Sequence, residues 1–156
     1  MEKPDLAYTV ELVKHAFGGL KDKGGVHVAD HCFRVASYVE PQDWLHVTVA
    51  LLHDIVEDTN VTIEYLDYLR YPREVLEAVD LLTHDKKAMD YASYIDRICR
   101  SGNEVAIRVK LADQRDNLDP KRWLYLNRYQ SNALRKRYAG VQDKLNEALH
   151  ARTKTG

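Results

Sequence analysis

Apolar residues recur at helical spacing through almost the whole chain, and no stretch alternates apolar and polar residues long enough to build a sheet. Leu6, Val10, Val13 and Phe17 mark one face of a first helix that opens just after Pro4. A second helix is expected over Val28 to Val39, ending before Pro41, since a residue ahead of proline is pushed out of the helical region. A third starts near Gln42 or Asp43 and runs through Trp44, Leu45, Val49 and Leu52 to about Asp54, where Asp58-Thr59-Asn60 closes the segment. Thr62 reads as an N-cap with Glu64 in the first turn. Further helices are expected over Thr62 to Arg70, Pro72 to Leu82, Met89 to Arg100 and Asn103 to Asn117. The short run Val105 to Leu111 alone is ambiguous between helix and strand. Pro120 restarts the chain into one or two long polar helices ending near Ala151, with a frayed tail over 152–156. The pattern predicts an all-α fold of about seven to nine helices, with residues 1–151 as a single domain and no internal linker.

The 156 residues suffice to bury a core without disulfides or structural zinc. A formal net charge of −1 supplies no global field toward nucleic acid or membrane, so neither is expected as a partner. Two cysteines, Cys32 and Cys99, are too few for a disulfide framework, and both read as reduced thiols. The N-terminus shows no apolar leader and no segment has the length of a membrane span, so a cytoplasmic location is expected.

His53-Asp54 closes the apolar run Val47 to Leu52. Neighbours on a helix point about 100° apart, yet they converge on one small ion if it sits at the helix end. The remaining ligands must come from elsewhere, and His31 and Asp113 lie on apolar-rich helices that packing could bring to the same corner. Two imidazoles with two carboxylates suit a borderline divalent ion such as manganese, iron or zinc rather than calcium. Glu57 and Asp58 stand one helical turn beyond His53 and Asp54, where they could orient a water, take its proton or protonate a leaving group. Asn117 follows Asp113 by four residues on the same face; it suits either a substrate contact or a helix C-cap.

The ordered set His31, Ala50-Leu51-Leu52-His53-Asp54-Ile55-Val56-Glu57-Asp58-Thr59, and Val109-Lys110-Leu111-Ala112-Asp113 with Asn117 resembles the HD phosphohydrolase superfamily. More narrowly it is similar to the hydrolase domain of RelA/SpoT-type enzymes and their small stand-alone relatives, which remove the 3′-pyrophosphate from guanosine tetra- and pentaphosphate with manganese. The resemblance spans roughly Lys21 to Leu118, the metal-binding core, with C-terminal helices over 120–151. It implies an HD-domain helical bundle, metal ligation by His31, His53, Asp54 and Asp113, and catalytic handling of water by Glu57 and Asp58. It implies one divalent ion, manganese first, with iron, zinc, cobalt and magnesium as alternatives. The expected partner is a small nucleotide. Substrate contacts are expected from Asn117, from Lys21 and Lys23 in the loop ahead of His31, and from Lys110. The alternatives are a phosphohydrolase of nucleoside mono- or triphosphates, or a non-catalytic metal-containing helical module for regulation or nucleic-acid binding.

Two departures touch recognition. The family loop usually carries an adjacent Arg-Lys pair, whereas this chain reads Asp22-Lys23. After the asparagine the family continues through an arginine, whereas this chain reads Leu118-Asp119-Pro120.

The remaining signals are weaker. Gly19 and Gly24 have P-loop spacing, but Gly25-Val26 stands where Lys-Ser/Thr is required. His27 precedes the expected helix start, His46 reads as a hydrogen-bonded histidine, and Cys32 reads as a small core residue. Lys121, Arg122, Arg128, Arg135, Lys136 and Arg137, interleaved with Trp123, Tyr125, Tyr129 and Tyr138, read first as a solvated basic helix face; single-stranded nucleic-acid binding and a positive rim that attracts a polyanionic nucleotide are the other options.

Overall fold

A computed structural model describes residues 2–22 and 24–155, with side chains as far as Ala151. The described residues form helices α1 (Leu6–Phe17), α2 (Val28–Tyr38), α3 (Trp44–Leu52), α4 (Ile55–Asp58), α5 (Ile63–Tyr68), α6 (Arg73–Leu82), α7 (Tyr91–Ser101), α8 (Glu104–Asn117), a 3₁₀ turn (Pro120–Trp123), α9 (Arg128–Tyr138) and α10 (Val141–Thr155). Eight of these helices have nine or more residues, and α4 and α5 are short. The fold is therefore the all-helical bundle that the periodicity predicts.

Local chemistry sets the boundaries. Asp5, Asp43, Thr62, Asp90, Asn103 and Asn127 each cap a helix by accepting a backbone N–H three residues on. Gly102 ends α7 in the left-handed conformation, where a Cβ is penalised. Val105 to Leu111 is helical: Asn103 caps it, and both its faces are covered. α10 continues to Thr155, past the Arg152 at which a frayed tail was expected.

α3 lies at the centre, packed against α1, α2, α6 and α8, and its residues Val49, Ala50, Leu51 and Leu52 are all buried. α2 and α8 also pack on each other, and α10 covers α7 and α8 through Val141 and Leu145. The α1 face departs slightly from its apolar pattern: Thr9 is fully buried and shares a 2.7 Å hydrogen bond with the hydroxyl of Tyr71, while Leu6 stays exposed. Three mutually packed helices, α2, α3 and α8, thus hold fixed whatever side chains they turn toward one another. No helix among the described residues is long and apolar enough to cross a membrane.

Candidate metal centre

α3 stops at Leu52 because His53 and Asp54 form a turn rather than a continuing helix, and α4 restarts at Ile55. That break frees both side chains to point at one spot. His31 reaches it from the N-terminal part of α2 and Asp113 from the third turn of α8. One ligand atom from each of His31, His53, Asp54 and Asp113 lies within 4.8 Å of every other. Asp113 Oδ1 stands 2.8 Å from His31 Nε2 and 3.3 Å from His53 Nε2, and Asp54 Oδ2 stands 3.6 and 3.2 Å from the same two atoms. Donors held about 2.0–2.2 Å from a common ion are separated by roughly 3–4.5 Å, so the set is compatible with a divalent metal.

The surrounding hydrogen bonds support the same fit. His53 Nδ1–H donates to the Ala50 carbonyl at 2.7 Å, and His31 Nδ1–H donates to Asp116 Oδ2 at 2.5 Å. Each bond fixes one nitrogen as the donor and turns Nε2 into the cluster, the arrangement by which partner groups orient metal-bound imidazoles. Asp116 is itself held by Arg34 Nε at 2.7 Å. Burial opposes its ionisation, but hydrogen bonds from His31 and Arg34 bring its carboxyl down to about 2. Asp113 gives its second oxygen to Lys110 Nζ at 2.7 Å, and Lys110 lies against the rings of Tyr91 and Tyr94.

Electrostatics define what the cluster needs. Burial disfavours charge on His31, yet hydrogen bonds to Asp113 and Asp116 raise its pKa. Burial likewise opposes protonation of His53, but Asp54 and Asp113 raise it well above the ordinary histidine range. The two ligand carboxyls stay ionised against burial: Lys110 and the imidazoles hold Asp113 far down, and His53 holds Asp54 down. Two carboxylates in this corner therefore demand positive charge, supplied either by two imidazolium protons or by one divalent cation in their place.

His31, Asp54 and Asp113 of the cluster form the floor of a cavity of about 230 Å³, with His53 buried behind them. Glu57 and Asp58 line it from α4; Glu57 Oε1 accepts the His84 N–H at 2.8 Å. Loss of solvent, with the charges of Asp54 and Glu57, raises the Asp58 carboxyl to about 6. Asn117 also borders the cavity. Lys110 reaches it, but with its ammonium committed to Asp113. Lys21 is exposed and does not line the cavity, and Lys23 lies outside the described residues. His27 caps α2 at the surface, His46 bonds Asp43 and Cys32 is buried in the core, each away from the ligand set.

Several lining residues have no clear mark in the sequence. Asp116, which bonds His31, stands three residues after Asp113 on the same face of α8, a spacing that could have flagged it; Lys110, three residues before Asp113, is among the expected contacts. His84, Tyr91, Tyr94, Arg122, Arg137 and Tyr138 reach the cavity only through tertiary packing. Arg122 and Arg137 bring two members of the basic C-terminal stretch to the metal cavity, which favours the rim reading of that stretch at these two positions. Tyr138 packs edge-on against Tyr91, and Arg137 lies over the same ring.

No family model matches the chain, and no curated protein matches it. Its fold does match a solved structure of a metazoan ortholog of SpoT, described as hydrolysing ppGpp and playing a role in starvation responses. The TM-score is 0.68, the match covers 97% of this chain and 98% of that one, and 24% of residues are identical. The likeness shows a shared helical fold from end to end. The chain shares that architecture with the SpoT ortholog, and its own His/Asp cluster is compatible with a divalent ion.

Proposed function

We propose that this chain, over residues 1–151, is a metal-dependent phosphohydrolase of nucleotides, removing the 3′-pyrophosphate of guanosine tetraphosphate or a close analogue. The observation that carries the reading is the convergence of His31, His53, Asp54 and Asp113 beneath a cavity that also holds three further carboxylates, Asp22, Glu57 and Asp58, and several cations. A purely structural metal needs no such extra groups. The shared fold with a ppGpp-hydrolysing SpoT ortholog points to the same substrate class.

A divalent ion bound there, which we read as manganese, supplies Lewis acidity toward water and a phosphoryl oxygen. The chain supplies the rest. Glu57, oriented by the His84 N–H, and Asp58, whose carboxyl exchanges its proton near neutrality, take the proton from the attacking water and return one to the departing ribose oxygen. The bond formed is water oxygen to phosphorus, and the bond broken is phosphorus to the 3′-oxygen. Lys86, Arg122 and Arg137 offset phosphate charge from the cavity walls, and Asn117 contacts substrate from α8. Lys110 acts through Asp113, keeping that carboxylate charged and aimed. Two free thiols, Cys32 and Cys99, suit a cytoplasmic protein.

The test is metal analysis of the purified protein followed by a nucleotide panel with manganese. Pyrophosphate release from guanosine tetraphosphate, lost together with bound metal in Asp54→Ala while helical circular dichroism persists, is the expected result. Full turnover by metal-free Asp54→Ala protein overturns the mechanism. Asp22, standing where the related enzymes carry arginine, favours one variant of the reading: orthophosphate release from a nucleoside monophosphate would move the substrate while keeping the chemistry.

A further inference from the structure

Asp22 and Arg122 stand 100 residues apart in sequence and form an ion pair at the wall of the metal cavity, with Arg122 Nη2 donating to Asp22 Oδ2 at 3.1 Å. Both residues also line two adjoining cavities of about 160 and 220 Å³, one walled by Trp123, Leu126, Leu134 and Tyr138, the other by Val26, Arg34 and Tyr125. The pair thus stands at the junction of all three spaces. A ligand that reaches from the floor into a neighbouring cavity at this junction meets the pair.

The partners of each residue show which bond can open. Asp22 Oδ1 accepts from the backbone of Gly24 at 2.8 Å and Val26 at 3.0 Å, and so shapes its own loop. Asp22 Oδ2 has Arg122 as its hydrogen-bond partner among the described residues. The ion pair can therefore be given up without undoing the turn. Arg122 Nη1 meanwhile donates to Asn117 Oδ1 at 2.7 Å and to Asp116 Oδ2 at 3.2 Å. Its 3.3 Å approach to His31 Nδ1 is no hydrogen bond, because that nitrogen carries the hydrogen given to Asp116. One end of the guanidinium is anchored to α8 beside the metal cluster, and the other end faces a removable carboxylate. Arginine offers a planar fork suited to phosphate as well as carboxylate, and a doubly charged phosphate competes favourably with a single carboxylate at such a fork.

We propose that Arg122 is a specificity-determining residue for a substrate with phosphate beyond the group at the metal, and that Asp22 occupies its fork until that phosphate arrives. This rests on the phosphate-binding reading of the cavity given above. The loop contributes a carboxylate, and the cation that answers the substrate comes from the 3₁₀ turn on the opposite wall. A ligand with one phosphate leaves the pair closed; a ligand with two opens it.

The test is a double-mutant cycle read by calorimetric binding of inorganic pyrophosphate, with orthophosphate as the one-phosphate control, to metal-loaded protein, so it does not depend on turnover. Asp22→Asn keeps the backbone bonds to Gly24 and Val26 while removing the charge, and is expected to tighten pyrophosphate binding 3- to 10-fold with a smaller change for orthophosphate. Arg122→Gln is expected to weaken pyrophosphate about 10-fold at unchanged metal content. Asp22→Asn placed in the Arg122→Gln background is expected to change nothing. An Asp22→Asn gain that persists without Arg122, equal effects on both anions, or no pyrophosphate binding by either the parent or Asp22→Asn overturns the proposal. Coupling in the cycle together with no hydrolysis of any nucleotide would retain this inference and remove the hydrolase reading.

Discussion

The two sides of the cavity are built differently. The floor comes from α2, the α3–α4 turn and α8, where eight residues of α8 alone are buried. The far wall comes from the 3₁₀ turn and α9, neither of which buries a single residue. The floor is positioned by the hydrophobic core and by a continuous chain of bonds through Arg34, Asp116, His31, Asp113 and Lys110. The wall is held by polar and aromatic contacts: Arg122 to Asn117, Trp123 Nε1 to the Asn117 carbonyl, and Tyr138 on Tyr91. Close-packed cores do not deform continuously, whereas a segment with few buried contacts opens locally at little cost. In the proposed function, chemistry falls on the rigid side and recognition on the adjustable side.

Asp113→Ala should break the contrast most severely. It removes a proposed metal ligand and leaves the buried Lys110 ammonium without its carboxylate, so we expect metal to be lost and stability to fall by about 3–5 kcal/mol. Denaturant titration alongside metal analysis measures both, and Lys110→Met in the same protein should recover much of the stability but none of the metal. Loss of metal with unchanged stability would show that Lys110 finds another counter-charge.

Glu57→Gln should spare both floor and fold while removing a proton acceptor. We expect kcat to fall roughly 10²- to 10⁴-fold with metal content unchanged. A change in KM alone would place Glu57 on the recognition side instead.

Acidity sharpens the floor itself. His31 and His53 have folded-state pKa values raised above the ordinary 6.5. In metal-free protein their contribution to stability is complete below about 6.5 and is lost as pH rises through the raised values. A metal ion takes the place of those protons, so the melting temperatures of metal-free and metal-loaded protein should diverge as pH climbs above about 6.5. Metal uptake near neutrality should release protons, seen in calorimetry as a dependence on buffer ionisation heat. A gap that narrows with rising pH would contradict this account.

The smallest effect belongs to the wall. Asn127 and Gln130 form a reciprocal capping box at the start of α9. Asn127→Ala should cost about 1 kcal/mol, felt as faster hydrogen exchange across Arg128–Tyr138 rather than as global unfolding. KM should rise a few-fold with kcat and metal unchanged. An equal loss of global stability would mean that α9 belongs to the cooperative core.

The sequence by itself determined most of the helical segments, the Thr62 cap and the identity of the four converging side chains. Helical period and capping are local: Asp43, Thr62 and Asn103 act on N–H groups three residues away, so their meaning is readable within a single turn. The helix end near Asp54 was readable in the same way, but the turn at His53-Asp54 and the restart of the chain as α4 were not, since no capping side chain marks them. Only the tertiary structure decided which cations face the ligands. Arg122 and Arg137 belong to a stretch whose residues look alike in sequence, and only these two reach the cavity floor's surroundings. Their selection depends on how the 3₁₀ turn and α9 lie across α7 and α8, through contacts such as Trp123 with Asn117 and Tyr138 with Tyr91. The Asp22–Arg122 pair is the clearest case: Asp22 in sequence is only the loss of an expected arginine, and its partner is supplied from 100 positions away. A charge pair across that separation leaves no periodic trace, because its energy depends on distance in space and not on spacing along the chain.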